Sequence, residues 1–95
     1  MENKDIITLE KVKKYKELTS KAMKIAKKSI VKGKEKEAKE ILEMVSNYLS
    51  DSEYFAGNGD FINAFAALNY THGWLDCGVR LGIFNVNDDR FFTVR

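Results

Sequence analysis

The sequence contains no proline, a single cysteine and a single histidine among its 95 residues. Because proline interrupts helices more strongly than any other residue, its absence leaves long helices possible throughout the chain. The lone Cys77 excludes an internal disulfide and an all-cysteine zinc site, and it is typical of a reducing compartment. The lone His72 cannot complete a metal centre without ligands from other elements. We therefore predict no catalytic residue, no metal site and no cofactor.

Long hydrophobic runs are also missing. No apolar segment approaches the roughly 20 residues that span a bilayer, and the Glu2–Asp5 segment lacks the apolar core of a signal peptide. We therefore expect a cytoplasmic protein without membrane contact. A hydrophobic fraction of 44% with 32% charged residues is typical of a folded domain and not of a disordered chain. A chain of this length holds one core, so residues 1–95 are predicted to form a single domain.

Charge and aromatic residues are unevenly distributed along the chain. All lysines lie between Lys4 and Lys39, whereas the three arginines lie at or after Arg80. Tyr15 is the only aromatic residue before Tyr48. This asymmetry predicts a polar, lysine-rich first half that packs against an aromatic second half.

Three amphipathic segments with helical spacing of three and four are separated by glycines. The first is predicted to begin at a cap formed by Asp5 or Thr8 and to end at Gly33, and the third to be capped by Asp60. A tail with an apolar end follows, and we expect it to dock on the helices. The predicted helices cover about 6–32, 34–56 and 60–81, and the tail covers 82–95.

The short connections predict that neighbouring helices are antiparallel. The predicted fold is therefore an all-α, up-down-up three-helix bundle with a short non-helical tail. In the alternative, Gly33 lies inside one long helix, and the resulting two-helix hairpin must dimerise.

The third predicted helix has two apolar faces, which is unusual for a helix at a protein surface. One is a heptad seam: Phe61, Phe65, Leu68, His72, Leu75 and Val79. The other lies almost opposite: Tyr70, Trp74, Cys77 and Leu81. Small residues between them allow another backbone to approach closely: Ala64, Ala67, Thr71 and Gly78. The second face must be covered by the tail, by a second subunit or by another protein, so our leading hypothesis is a non-enzymatic interaction or self-associating domain.

A narrow polar stripe on the same helix is the candidate ligand or partner surface. His72 and Asp76 are four residues apart, so the carboxylate can orient the imidazole. Arg80, one turn further on, can hold an anionic group, which leads to a third hypothesis of small-ligand binding or catalysis. The other interpretation is a structural hydrogen-bond ladder at the edge of the core. The candidate residues are Asn69, His72, Trp74, Asp76 and Arg80.

Lysines cluster on the side of the first helix opposite its apolar stripe, and we call this set the lysine face: Lys13, Lys14, Lys21, Lys24, Lys27, Lys28 and Lys32. Such a face attracts phosphate backbones. Without interleaved arginines or aromatic residues it offers neither bidentate base contacts nor stacking. The alternative function is therefore weak, non-specific, salt-dependent association with RNA or DNA, and the competing interpretation is a solvated surface.

The run from His72 to Gly82, His-Gly-Trp-Leu-Asp-Cys-Gly-Val-Arg-Leu-Gly, resembles the signature of the archaeal family called domain of unknown function 357. That signature reads His-Gly-Trp-Leu-Asp-x-Gly-x-Arg-x-Gly. The resemblance implies a three-helix antiparallel bundle, similar to spectrin-repeat-like and albumin-binding-domain-like bundles. It also implies an archaeal, cytoplasmic origin, and it brings no established activity, cofactor or catalytic residue.

Overall fold

A computed structural model describes residues 5–92 of the chain. This part consists of three α-helices followed by an irregular tail. The helices are α1 (Leu9–Lys27), α2 (Glu35–Gly57) and α3 (Phe61–Arg80). The predicted all-α three-helix fold is confirmed.

Side-chain caps mark where α1 and α3 begin. The Thr8 hydroxyl accepts a hydrogen bond from the Lys11 backbone N–H at 3.2 Å, so Thr8 and not Asp5 caps α1. The Asp60 carboxylate accepts from the Asn63 N–H at 3.1 Å, as predicted for α3. Each cap satisfies an N–H group that has no partner within its own helix.

Two hydrophobic clusters establish the up-down-up order. The first joins the C-terminal half of α1, the N-terminal half of α2, the C-terminal half of α3 and the tail: Ala22, Ala26, Ala38, Ile41, Val45, Leu75, Ile83, Phe84, Val86 and Phe92. The second joins the opposite ends: Val12, Ala64 and Leu68, with Phe55 and Ala56 packed against them. Only an α2 that runs antiparallel to both α1 and α3 brings these ends together. The two-helix alternative is wrong, because Gly33 has a φ of 92° in the connection between α1 and α2.

The first helix is shorter than predicted, since it ends at Lys27 and not near residue 32. Ser29 turns the chain, because its hydroxyl donates to the Ile25 carbonyl at 2.7 Å. The next residues run beside the tail, where Ile30 and Phe84 form an antiparallel bridge. The tail therefore supplies the backbone hydrogen bonds that a longer helix would have made internally.

The buried side of α3 is formed mainly by small residues and not by the predicted seam. Its buried residues are Ala64, Ala67, Leu68, Thr71, Leu75 and Gly78. The bulkier seam residues Phe61, Phe65, His72 and Val79 are only half-buried. Small side chains let α2 approach α3 closely, which moves the large rings to the flanks of the contact.

The tail docks on the helices as predicted. Its described residues pack against the buried side of α3 and leave the exposed side of that helix uncovered. Phe84 is buried against Gly78, and its backbone N–H donates to the Gly78 carbonyl at 3.3 Å. Phe92 is also buried, whereas Thr93 and Val94 lie outside the described residues. Trp74 packs against the edge of this cluster and stays half-buried. The opposite side of α3 is left uncovered by the described chain.

Candidate functional site

Three of the five candidate residues come together in one cleft, which we call the polar cleft. α3 contributes Asn69, His72, Gly73 and Asp76, α1 contributes Tyr15 and Leu18, and the tail contributes Arg90 and Phe91. Its volume is about 290 Å³, close to the lower limit for a small-ligand pocket. The helical spacing predicted the common face of the three α3 residues, and the packing of α1 and the tail turns that face into a cleft.

Arg90 is a charged cleft residue that the sequence analysis did not predict. Its Nε donates to Asp88 Oδ1 at 3.0 Å and its Nη2 to Oδ2 at 2.8 Å. The hydrogen bonds from Arg90 lower the pKa of the Asp88 carboxyl, and the carboxylate in turn raises the pKa of Arg90. The guanidinium also lies 5.3 Å from the centre of the Phe91 ring. The tail thus presents an oriented cation beside His72 and Asp76.

Trp74 and Arg80 do not line the polar cleft. Trp74 lies on the other side of α3, in a second cleft of about 490 Å³ together with Ile83 of the tail. α2 supplies the rest of this lining, which is acidic and apolar: Glu37, Glu40, Ile41, Glu43, Met44 and Asn47. Arg80 is the last residue of α3 and is exposed to solvent. The predicted five-residue surface is therefore divided between two clefts and the end of the helix.

The side of α3 that faces solvent carries a row of apolar and small residues, beside which Asn63, Asn69 and Arg80 are also exposed. We call it the outer face and define it by six exposed residues: Ile62, Ala66, Tyr70, Gly73, Cys77 and Leu81. Ile62 is 71% exposed, Leu81 66% and Tyr70 54%. Large apolar side chains with such exposure, aligned on one helix, are typical of a surface that binds another protein.

A chain of aromatic rings fixes one edge of the outer face. Tyr70 lies between Tyr48 of α2 and Trp74, with ring centres 4.7 and 6.3 Å away and edge-to-face geometry in both pairs. The pKa of the Tyr48 hydroxyl is raised, mainly because packing removes water from around it. The neighbouring Tyr70 raises it further. The packing holds Tyr70 in place although more than half of it is exposed.

The lysine face is exposed, but only part of it lies on α1. Lys28 is the C-cap residue of α1, and Lys32 lies in the turn before α2, because α1 ends earlier than predicted. Lys21 pairs with Glu17 of the same helix at 3.1 Å. Lys16 of the same helix is half-buried and bridges to Glu53 of α2 at 3.0 Å. The basic surface is therefore less continuous than the sequence indicates.

Residues 5–92 contain neither a metal-binding group nor a membrane-spanning helix. This part of the chain brings together no three His, Cys, Asp or Glu side chains in a group that could bind a metal ion. None of its helices combines the length and hydropathy needed to cross a membrane.

The chain matches a known protein family. A family described as "Protein of unknown function (DUF357)" matches residues 14–84. The match includes all three helices from Lys14 onward and all five candidate residues of α3, and it ends before Arg90 and Phe91. No match was found among curated proteins or among solved structures.

Proposed function

The chain belongs to the DUF357 family, and we propose that it is a non-enzymatic protein-interaction domain. The family description states no function, so the proposal is based on the surface of the protein. The outer face of α3 is the proposed contact surface. A single observation carries the proposal: this face exposes Ile62, Tyr70 and Leu81 although the tail has already docked elsewhere on α3.

The shape of the outer face supports protein contact. Tyr70 is the kind of rigid aromatic anchor that is enriched in protein interfaces. Ala66 and Gly73 beside it leave room for a partner helix to approach. A lysine introduced at the anchor would place a charge in the centre of the contact, which is unfavourable unless it is paired.

The test compares two tyrosine variants of matched exposure. Tyr70→Lys changes the outer face, and Tyr54→Lys changes a tyrosine of α2 that is 69% exposed and lies outside this face. Each purified variant is immobilised and incubated with nuclease-treated extract of the source organism. We expect proteins that bind the unchanged chain and Tyr54→Lys to be lost from Tyr70→Lys. Equal retention by all three chains would contradict the proposal, and circular dichroism would verify that each variant is folded.

A second candidate function is small-anion binding in the polar cleft. The observation behind it is the position of Arg90, which brings a guanidinium to the cleft that contains His72 and Asp76. Inorganic phosphate serves as a first probe in thermal denaturation. If the cleft binds it, His72→Ala keeps its fold but loses the stabilisation by phosphate, whereas a large loss of stability without phosphate would indicate a structural role.

The lysine face supports a weaker alternative, non-specific nucleic-acid association. Lys13, Lys14 and Lys24 are exposed on one side of α1. Replacing these three by glutamine would then weaken binding to duplex DNA and reduce its salt dependence. Replacing Lys36 and Lys39, exposed on α2, is the matched control. Binding that salt does not weaken would rule this alternative out.

A further inference from the structure

We infer that the partner of the outer face is a second copy of this chain, with the two α3 helices antiparallel and Ile62 of one copy against Leu81 of the other. This inference rests on the proposed function and names its partner. It follows from three features of α3: the spacing of the outer face, the open space beside Gly73 and the charges at the two ends of the helix.

The spacing of the residues on the outer face is the same from either end of the helix. Its residues are spaced by four, four, three, four and four: Ile62, Ala66, Tyr70, Gly73, Cys77 and Leu81. A twofold axis that lies between two antiparallel copies, level with the midpoint of Tyr70 and Gly73, therefore sets each position of the face level with another position of the face in the second copy. Closed dimers use such self-complementary surfaces.

The same axis pairs residues of compatible size. Tyr70 of each copy lies over Gly73 of the other, so the largest side chain meets the smallest. Ala66 lies over Cys77, which lets the backbones approach, and Ile62 packs on Leu81 at both ends. Large-on-small pairing at the centre lets the side chains of one helix fit between those of the other.

Gly73 lines the polar cleft, and no packing contact within the described chain requires a glycine there. Glycine inside a helix costs about 1 kcal/mol relative to alanine. At Gly78 this cost has a reason, because a Cβ there would lie 2.5 Å from the Phe84 ring. At Gly73 nothing lies within 4 Å of the Cβ position. A tyrosine ring from a second copy requires the space that this glycine leaves.

The charges of α3 favour the antiparallel orientation. Asp60 caps the start of the helix and Arg80 is its last residue. In the antiparallel pair Arg80 of one copy faces residue 63 of the other, about 4.5 Å along the axis from Asp60. Opposite charges and opposite helix dipoles then meet at both ends. A parallel pair would place Arg80 against Arg80 and Asp60 against Asp60.

The contact area predicts a weak dimer. A helix of 20 residues is about 30 Å long and roughly 10 Å wide, so two copies bury on the order of 600 Å², about half of what a stable interface needs. The axis also places the lysine-rich α1 beside α1 of the second copy. We therefore expect a concentration-dependent dimer. Salt should strengthen it, because salt screens the repulsion between the two lysine-rich α1 helices.

Disulfide trapping tests the register directly, because it captures weak contacts. In Ala66→Cys the introduced thiol faces Cys77 of the second copy, and mild oxidation with diamide, which takes up two electrons and two protons, links the pair. The unchanged chain should give little dimer, since its two Cys77 residues are offset by about 16 Å along the helices. Ser50→Cys, an exposed position on α2, controls for random collisions.

We expect a covalent dimer from Ala66→Cys alone, with mass spectrometry locating the link between residues 66 and 77. Adding Gly73→Leu, which blocks the space for Tyr70, should slow the linkage by roughly tenfold without unfolding the chain. A Cys77–Cys77 link, or equal linkage in all chains, would overturn the antiparallel register. Absence of linkage in Ala66→Cys, with partner proteins still lost from Tyr70→Lys, would refute self-association and leave the interaction domain standing.

Discussion

Substitution of Gly78 by alanine is expected to unfold the chain at lower temperature, although alanine is the better helix former. Gly78 is buried where the tail passes beneath α3. An added Cβ would lie 2.5 and 2.6 Å from two atoms of the Phe84 ring and 3.2 Å from Ile41 Cδ1. The ring cannot withdraw easily, because Phe84 is only 1% exposed and the Ile83 and Phe84 N–H groups both donate to the Gly78 carbonyl.

The magnitude follows from two opposing terms. Overpacking a core typically costs about 1–3 kcal/mol. Alanine in place of glycine within a helix raises the free energy of unfolding by roughly 1 kcal/mol. The net expectation is a loss of up to about 2 kcal/mol in the free energy of unfolding. For a domain of this size each kcal/mol lowers the melting temperature by about 4–8 °C.

Gly73→Ala is the matched control in the same helix. Nothing lies within 4 Å of its Cβ position, so only the gain in helix propensity remains, and stability should rise by up to about 1 kcal/mol. Urea and thermal unfolding of both variants, at concentrations low enough to avoid self-association, measure the difference. If Gly78→Ala were as stable as Gly73→Ala, the close contact between the tail and α3 would be refuted.

Three further predictions concern the tail and the caps. Phe84→Ala should lower the free energy of unfolding by about 3–5 kcal/mol in urea titration, because it empties the centre of the larger cluster. Asp60→Ala should cost about 1 kcal/mol, whereas Asp60→Asn should retain most of the cap. The pKa of the Asp88 carboxyl, followed by NMR, should lie below its ordinary value and return toward it in Arg90→Gln. Because the folded pKa is lowered, the stabilisation from this pair is present at neutral pH and is lost as the pH falls through the folded pKa of Asp88.

Periodicity and glycine positions were enough to predict the helices and their order. The breaks at Gly33 and Gly57–Gly59 both separate helices in the structure. The end of α1 was missed because no local signal marks it. Ser29, Ile30 and Val31 continue a helical pattern, and they leave the helix only because the backbone of the tail offers Ile30 a bridge partner more than 50 residues away. Such a long-range contact overrides local propensity and is invisible to periodicity.

The candidate site was predictable where it depends on helical spacing, and not where it depends on the position of the tail. Helical spacing placed Asn69, His72 and Asp76 on one side of α3, and they line one cleft. Spacing could not identify Arg90, since its place in the cleft depends on where the tail docks. The chain turns at Asp88, whose Oδ1 accepts a hydrogen bond from the Arg90 backbone N–H at 3.0 Å, and aspartate is a common turn residue. A turn pattern says nothing about which helix lies beside it.

The lysine face and the outer face have a common physical explanation. α3 carries only Asp76 and Arg80 as charged residues over its length, so an exposed apolar side would promote aggregation unless charge elsewhere kept the chain soluble. The lysines of α1 can supply that charge without binding anything. Replacing Lys13, Lys14 and Lys24 by glutamine should therefore lower solubility while leaving the melting temperature nearly unchanged. The same change in a chain that also carries Tyr70→Lys should be tolerated better, because the surface that the lysines compensate is then itself charged. If both chains lost solubility to the same extent, the lysines would not compensate for the outer face. Their function would then be independent of it.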